Sequence, residues 1–121
     1  MADPEVTRLV FNYQSTLLII GDKSGRVLVW SLQQMMFLGE FLFGKQINVI
    51  HCHPISKMIF VSLQNASFVI DIDCYQVLKS WSRGYYGLFT PLKNYLLVGV
   101  RATGFDVMDL HNFSDNAFFL K

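Results

Sequence analysis

The sequence predicts an all-β chain assembled from three copies of a four-strand unit. Three observations predict it. Apolar residues arrive in runs of about 4–6, rich in Val, Ile, Leu and Phe and bounded by Gly, Asn, Asp, Ser or Pro, as strands are. The same succession of runs returns at roughly 40-residue intervals. No segment sustains a helical period with caps at both ends; Gln33–Phe43 comes nearest, and Gly39 interrupts it.

The elements follow in order. The first unit reads RLVFN (Arg8–Asn12), LLIIG (Leu17–Gly21), VLVWSL (Val27–Leu32) and MMFLGEF (Met35–Phe41). The second reads VIHCH (Val49–His53), MIFVS (Met58–Ser62), SFVIDI (Ser67–Ile72) and QVLKSW (Gln76–Trp81). The third is more ragged: YGLFT (Tyr86–Thr90), LLVG (Leu96–Gly99), FDVMDL (Phe105–Leu110) and NAFFL (Asn116–Leu120). The offset between the first two units is 41 residues for the first strand and 40 for VLVWSL against SFVIDI; from the second unit to the third it falls to 37 or 38. Turn residues separate the runs. In GDKSGRVLVWSL, Gly21 ends one strand, Gly25 allows a tight turn, and Trp30 is expected to anchor the next strand.

A unit of about 40 residues and four strands is the blade of a β-propeller. One blade cannot bury both of its faces, so blades stack around an axis and their interior strands become apolar on both sides. That accounts for LLIIG and KMIFV being unbroken apolar runs. The blades are expected over about residues 4–43, 44–83 and 84–121, forming one segment over 1–121. Propellers close with about 4–8 blades, so three are too few for a ring. Either a longer chain or another subunit completes it, or the strands rearrange into a small sandwich.

The pattern of a strand, a small residue, a Gly-containing turn and then V-x-V-W-x-L resembles the WD-repeat family, best over Gly21–Leu32. The resemblance covers nearly the whole chain and implies β-propeller blades in a protein-interaction scaffold. In the family a Trp-Asp pair closes the third strand. Here the three pairs are Trp30-Ser31, Ile70-Asp71 and Met108-Asp109, so no copy has both residues. Ser24 stands at the family's turn aspartate, and the Gly-His pair is missing, so apolar packing is expected to replace the family's polar network.

Composition narrows the function classes. Of 121 residues, 52% are apolar and 15% aromatic, while only 16% are charged, against about a quarter in ordinary domains. Such a chain is expected to hide surface against a protein partner, which could itself complete the propeller. The net charge of +1 has no block of either sign, so no nucleic acid is expected. MADPEVTR is not a signal sequence, and the apolar runs are too short to span a membrane. Cys52 and Cys74 do not make a disulfide framework, which points to an intracellular, cytoplasmic setting without excluding the nucleus.

Several short motifs have chemical readings that the strand pattern outweighs. Gly39–Gln46 matches G-x-x-x-x-G-K, but Gln46 replaces the magnesium-binding hydroxyl and no helix follows. Arg83–Phe89 resembles an RNA-binding aromatic strand, yet the helices of that fold are missing. His51 and His53 are expected on one strand face, needing a third metal ligand from Asp71, Asp73 or His111. Asp71 and Asp73 are likewise expected on one face, without a case for acid–base chemistry. Ser24 in G-x-x-S-G is followed by a strand, where a nucleophile elbow needs a helix.

The expected function is therefore a non-enzymatic protein–protein interaction scaffold without cofactor, metal or small-molecule substrate, working within a larger protein or complex. Contact is expected through exposed turn residues: Lys23, Arg26, Arg83, Tyr85, Tyr86, Arg101 and Phe105. Two other classes remain open. A propeller enzyme or ligand-binding domain would have its site completed by further blades. A nucleic-acid-binding β domain would need a basic stripe.

Overall fold

The structure, a computed structural model, describes residues 5–12, 14, 16–54, 56–89, 96–101, 104–109 and 114–119. The described elements are all strands. The first sheet holds β1 (Val6–Phe11), β2 (Leu17–Asp22), β3 (Arg26–Ser31) and β4 (Met36–Leu42). The second holds β5 (Val49–Cys52), β6 (Met58–Ser62), β7 (Ser67–Asp71) and β8 (Gln76–Trp81). The third holds β9 (Tyr86–Phe89), β10 (Leu96–Arg101), β11 (Gly104–Asp109) and β12 (Ser114–Phe119). Each is an antiparallel meander whose spatial order is its chain order. Contacts between sheets run from β1 to β5 and from β5 and β6 to β9, so the first strand of each sheet faces the shared interior.

The repeat extends to the irregularities. Register shifts between Val29 and Trp30 where β3 pairs with β4, and between Val69 and Ile70 where β7 pairs with β8, 40 residues on. The turns that follow pass through left-handed backbone at Met35 (φ 52°) and Tyr75 (φ 56°), again 40 apart. A side chain closes each turn. Ser31 Oγ accepts the Gln34 N–H at 3.1 Å, and Asp71 Oδ1 accepts the N–H groups of Asp73 and Cys74 at 2.8 and 3.3 Å. A short oxygen-bearing side chain satisfies turn amides that would otherwise face solvent. Asp71 thus ends β7 and Asp73 lies in the turn, so the two do not share a strand face as expected.

Gln33–Phe43, the nearest helical candidate, is turn and then β4. That strand also takes up Gly39, Glu40, Phe41 and Leu42, the first half of the phosphate-loop match, and the linker after it runs into β5, not into a helix. Gly25 is required where it stands: its φ is +94°, and a Cβ there would run into the backbone of Gly44 and Lys45.

Two apolar clusters hold the stack together. Between the first and second sheets, Leu17, Ile19, Val27 and Val29 pack against Ile50, Ile59, Val61 and Ile70. Between the second and third, Met58, Phe60 and Val69 join Tyr85 and Phe89. Period-2 alternation explains the assignment. On the interior strands of the second sheet, successive residues face opposite neighbours, so β6 is buried throughout, MIFVS. Burial of each large aliphatic side chain contributes roughly 1.5–3 kcal/mol.

Candidate interaction surface

The β2–β3 turn and the linkers into β5 and β9 lie at one end of the stack, where β10 ends and β11 begins. Backbone bonds join the β2–β3 turn to the linker into β5: Ile47 N–H donates to Asp22 O at 3.0 Å, and Phe43 N–H donates to Gly25 O at 2.8 Å. Antiparallel meanders put every second connection at the same end, so residues far apart in sequence converge there.

The buried Asp22 organises the first of these turns. Its Oδ1 accepts the Arg26 backbone N–H at 2.9 Å and the Ser24 hydroxyl at 2.8 Å, while Oδ2 accepts Arg26 Nε at 2.9 Å. Burial by itself would push the carboxyl up, but the Arg26 backbone, the Ser24 hydroxyl and the Arg26 guanidinium outweigh it and hold Asp22 below the usual carboxylate value. Ser24 is therefore a ligand of the turn aspartate. The turn role expected at position 24 is carried two residues earlier.

A hydroxyl pair organises the second junction. Ser62 Oγ and Ser67 Oγ lie 3.2 Å apart, and both receive the Tyr85 N–H at 3.0 Å. Ser67 Oγ also donates to Arg83 O at 2.7 Å. Both serines are buried, so the pair satisfies backbone groups that burial would otherwise orphan. This pins Tyr85 in the interface between sheets, 4% exposed. Tyr85 is therefore not the exposed turn residue expected from the sequence; its ring packs edge-on to Trp81, with centroids 6.4 Å apart. A cavity of about 200 Å³ sits beside it, lined in part by Asn48, Gln64 and Tyr86.

The other expected contact residues fall as follows. Lys23 is exposed in the turn, 3.5 Å from Glu5, and Arg26 is held against Asp22. Arg83 is exposed in the linker. Arg101 ends β10, and its side chain lies outside the described residues. Tyr86 and Phe105 come together in one row: Tyr86 pairs with Val100, and Val100 pairs with Phe105. Directly opposed residues share a face. All three are exposed, Tyr86 at 69%, which makes an apolar and aromatic row across three strands. Val100 was not foreseen, because its place depends on pairing with two other strands.

The histidines lie at the opposite end. β5 stops at Cys52, so only His51 is on the strand, and the two rings converge on Phe89 at centroid distances of 5.6 and 5.0 Å. Phe89 N–H donates to His51 Nδ1 at 3.2 Å, and Ser56 N–H donates to His53 Nδ1 at 3.0 Å. Both rings thus spend a lone pair on the backbone. Burial lowers both below the usual imidazole value, and His51 lowers His53 further. Among the described residues no three of His, Cys, Asp and Glu group to hold a metal; His111 lies outside them. No described helix is long and apolar enough to cross a membrane.

The first sheet has an uncovered apolar face. Phe11, Leu18, Trp30 and Phe37 are opposed in turn across all four strands, and Leu9, Ile20 and Leu28 form a second row beside them. Trp30 lies within β3, 39% exposed on this face and edge-on to Phe37 at 5.2 Å. Alternation sends Val27 and Val29 inward and leaves Trp30 on the other side.

The architecture is that of WD40 β-propeller domains. The Cps50 (Swd1) β-propeller domain of Myceliophteria thermophila superposes with a TM-score of 0.83 at 14% identity, covering 100% of this chain and 39% of that one. U3-55K superposes with a TM-score of 0.80 and the RRP9 WD40 repeats with 0.81, each at 12% identity, covering 98% of this chain and 40% of theirs. The chain thus spans about two fifths of the length of these structures. No family profile and no curated protein sequence matches it.

Proposed function

We propose that the chain is a protein–protein interaction module, a three-blade propeller segment over residues 1–121 that works within a larger protein or complex. The observation that carries this reading is the exposed row Tyr86–Val100–Phe105, at the end of the stack where turns and linkers converge. Tyrosine and phenylalanine supply large contact area at low entropic cost, and arginine, also enriched at binding hot spots, stands exposed at Arg83 in the linker just before the row. Lys23 and Arg26 extend the same end. Tyr85 contributes from beneath by fixing the linker that presents Tyr86. The two free thiols fit a reducing, intracellular compartment.

The test is quantitative co-purification from cells of the wild type against Tyr86→Ala combined with Phe105→Ala. A defined set of proteins retained by the wild type and lost by the variant is the expected result. The same set on both, or none above a non-binding control, overturns the proposal.

A further inference from the structure

A polar groove crosses the end of the stack that carries the β2–β3 turn. Its wider part, about 570 Å³, is lined by Lys45, Gln46, Asn48 and Gln64, with no carboxylate and no apolar side chain among them. Asn48 and Gln64 also line the cavity of about 200 Å³ beside Tyr85. The two therefore run together from the linker into β5, past the β6–β7 turn, to Gly84 in the linker into β9. Backbone fixes both walls. Asn48 N–H donates to Ser62 O at 2.8 Å. A Cβ at Gly84 would run into the carbonyls of Leu63 and Gln64, so only glycine lets the second linker lie against that turn. Gln46 Nε2 donates to Asn48 Oδ1 at 3.3 Å. Among the described residues, Asn48 Nδ2 and the Gln64 amide have no protein partner.

Charge is separated along the strands although the net charge is only +1. Lys23, Arg26, Lys45 and Arg83 stand at the groove's end, whereas Asp71, Asp73 and Asp109 stand at the opposite end. Glu5 lies 3.5 Å from Lys23 and Asp22 holds Arg26 at 2.9 Å, so among the described residues Lys45 and Arg83 have no carboxylate partner. Both are exposed; Lys45 lines the groove at one extremity, and Arg83 precedes Gly84 at the other. We propose that this groove binds an extended acidic segment of a partner protein, its backbone on the Asn48 and Gln64 amides and its carboxylates on Lys45 and Arg83. A side-chain amide both donates and accepts, as a peptide backbone does, so the two amides suit main chain of any sequence. The two unmatched cations then select for acid, and the separated charge draws it to this end. They make a short site, whereas affinity for a nucleic-acid backbone grows with the number of phosphates neutralised. Further sheets against either face of the stack would leave this end open. The inference deepens the interaction-module reading at a second surface, and rests on that reading only for the premise that the chain binds protein.

Selection of a random library of short peptides, displayed on phage, against the purified chain tests it. Asp and Glu are expected to be enriched among the retained peptides, a result that does not depend on whether any variant folds. A fluorescein-labelled synthetic copy of the most enriched peptide is then titrated by anisotropy. Lys45→Glu and Arg83→Glu are each expected to weaken its binding by roughly 5- to 10-fold, as an exposed ion pair becomes a like-charge pair. Lys57→Glu makes the same change of net charge at the opposite end, on an exposed side chain, and is expected to leave binding unchanged. Phe105→Ala, outside the groove, is also expected to keep the acidic peptide. No enrichment of acid, equal losses from Lys57→Glu, or displacement of the peptide by an oligouridine of equal charge would each overturn the proposal. Loss of acid selection beside co-purification that still depends on Tyr86 and Phe105 removes the groove and leaves the interaction module standing.

Discussion

Asp22 holds Arg26 twice, through the backbone N–H on Oδ1 and through Nε on Oδ2, both at 2.9 Å. The carboxylate is almost wholly buried while the guanidinium is well exposed, so the pair is a turn clamp with one face in solvent. Asp22→Ala removes three hydrogen bonds and leaves the Arg26 and Ser24 donors without their acceptor. The expected loss is about 2–4 kcal/mol, read as a lower urea midpoint with unchanged slope. Asp22→Asn keeps one acceptor oxygen and should lose less.

The same residue sets part of the acid limit. Its folded value lies below 3.8, so the stabilisation is complete above that pH and is lost as pH falls through the folded value. Relative to the wild type, Asp22→Asn should lose less stability between pH 4 and the acid transition, which acid titration followed by circular dichroism measures.

His51 and His53 act at higher pH. Both are lowered from 6.5 by burial, His53 also by His51, so the folded protein prefers the neutral rings. The unfolded chain takes up protons first as pH falls below about 6.5, and stability is lost from there down through the folded values. Urea denaturation between pH 8 and pH 5 should show this slope. His51→Asn with His53→Asn should flatten it, whatever the change in absolute stability.

Ser67→Ala removes the hydroxyl that donates to Arg83 O and accepts from Tyr85 N–H. A cost of about 1–3 kcal/mol is expected for the hydrogen bonds lost at the buried Ser67 hydroxyl. Ser62→Ala takes the other acceptor from the same amide, so the double variant should deviate from additivity. A double-mutant cycle from chemical denaturation reads the coupling directly.

Thiol labelling checks the inter-sheet packing beneath β5. Burial pushes the Cys52 thiol up to about 11, so little thiolate forms at neutral pH, whereas Cys74 is exposed. At pH 7.5 an aromatic disulfide reagent should modify Cys74 promptly and Cys52 only as the fold opens. Equal rates would contradict the packing of β5 against the first sheet.

Much of this molecule follows from sequence because strands are short-range objects. Apolar runs bounded by turn residues place β6, β8 and the others within a residue or two, and the 40-residue spacing carries through to the left-handed turns at Met35 and Tyr75. The three-sheet count and the propeller-like stack are also legible, since a repeat that cannot bury itself must pack on its neighbours. What depends on which partner a residue meets was not legible. Trp30 faces outward and Tyr85 inward because alternation and the Ser62–Ser67 pair decide sides, and a one-residue change of register reverses every side chain. Asp22 had a local signal, an aspartate three residues before Gly25, the pattern of a tight turn. Val100 had none, because its row exists only once β9, β10 and β11 are paired. The sequence by itself determined which residues are strands and how often they recur; the tertiary structure alone decided which faces are covered and which stay open, because burial belongs to pairs of sheets and not to any one of them.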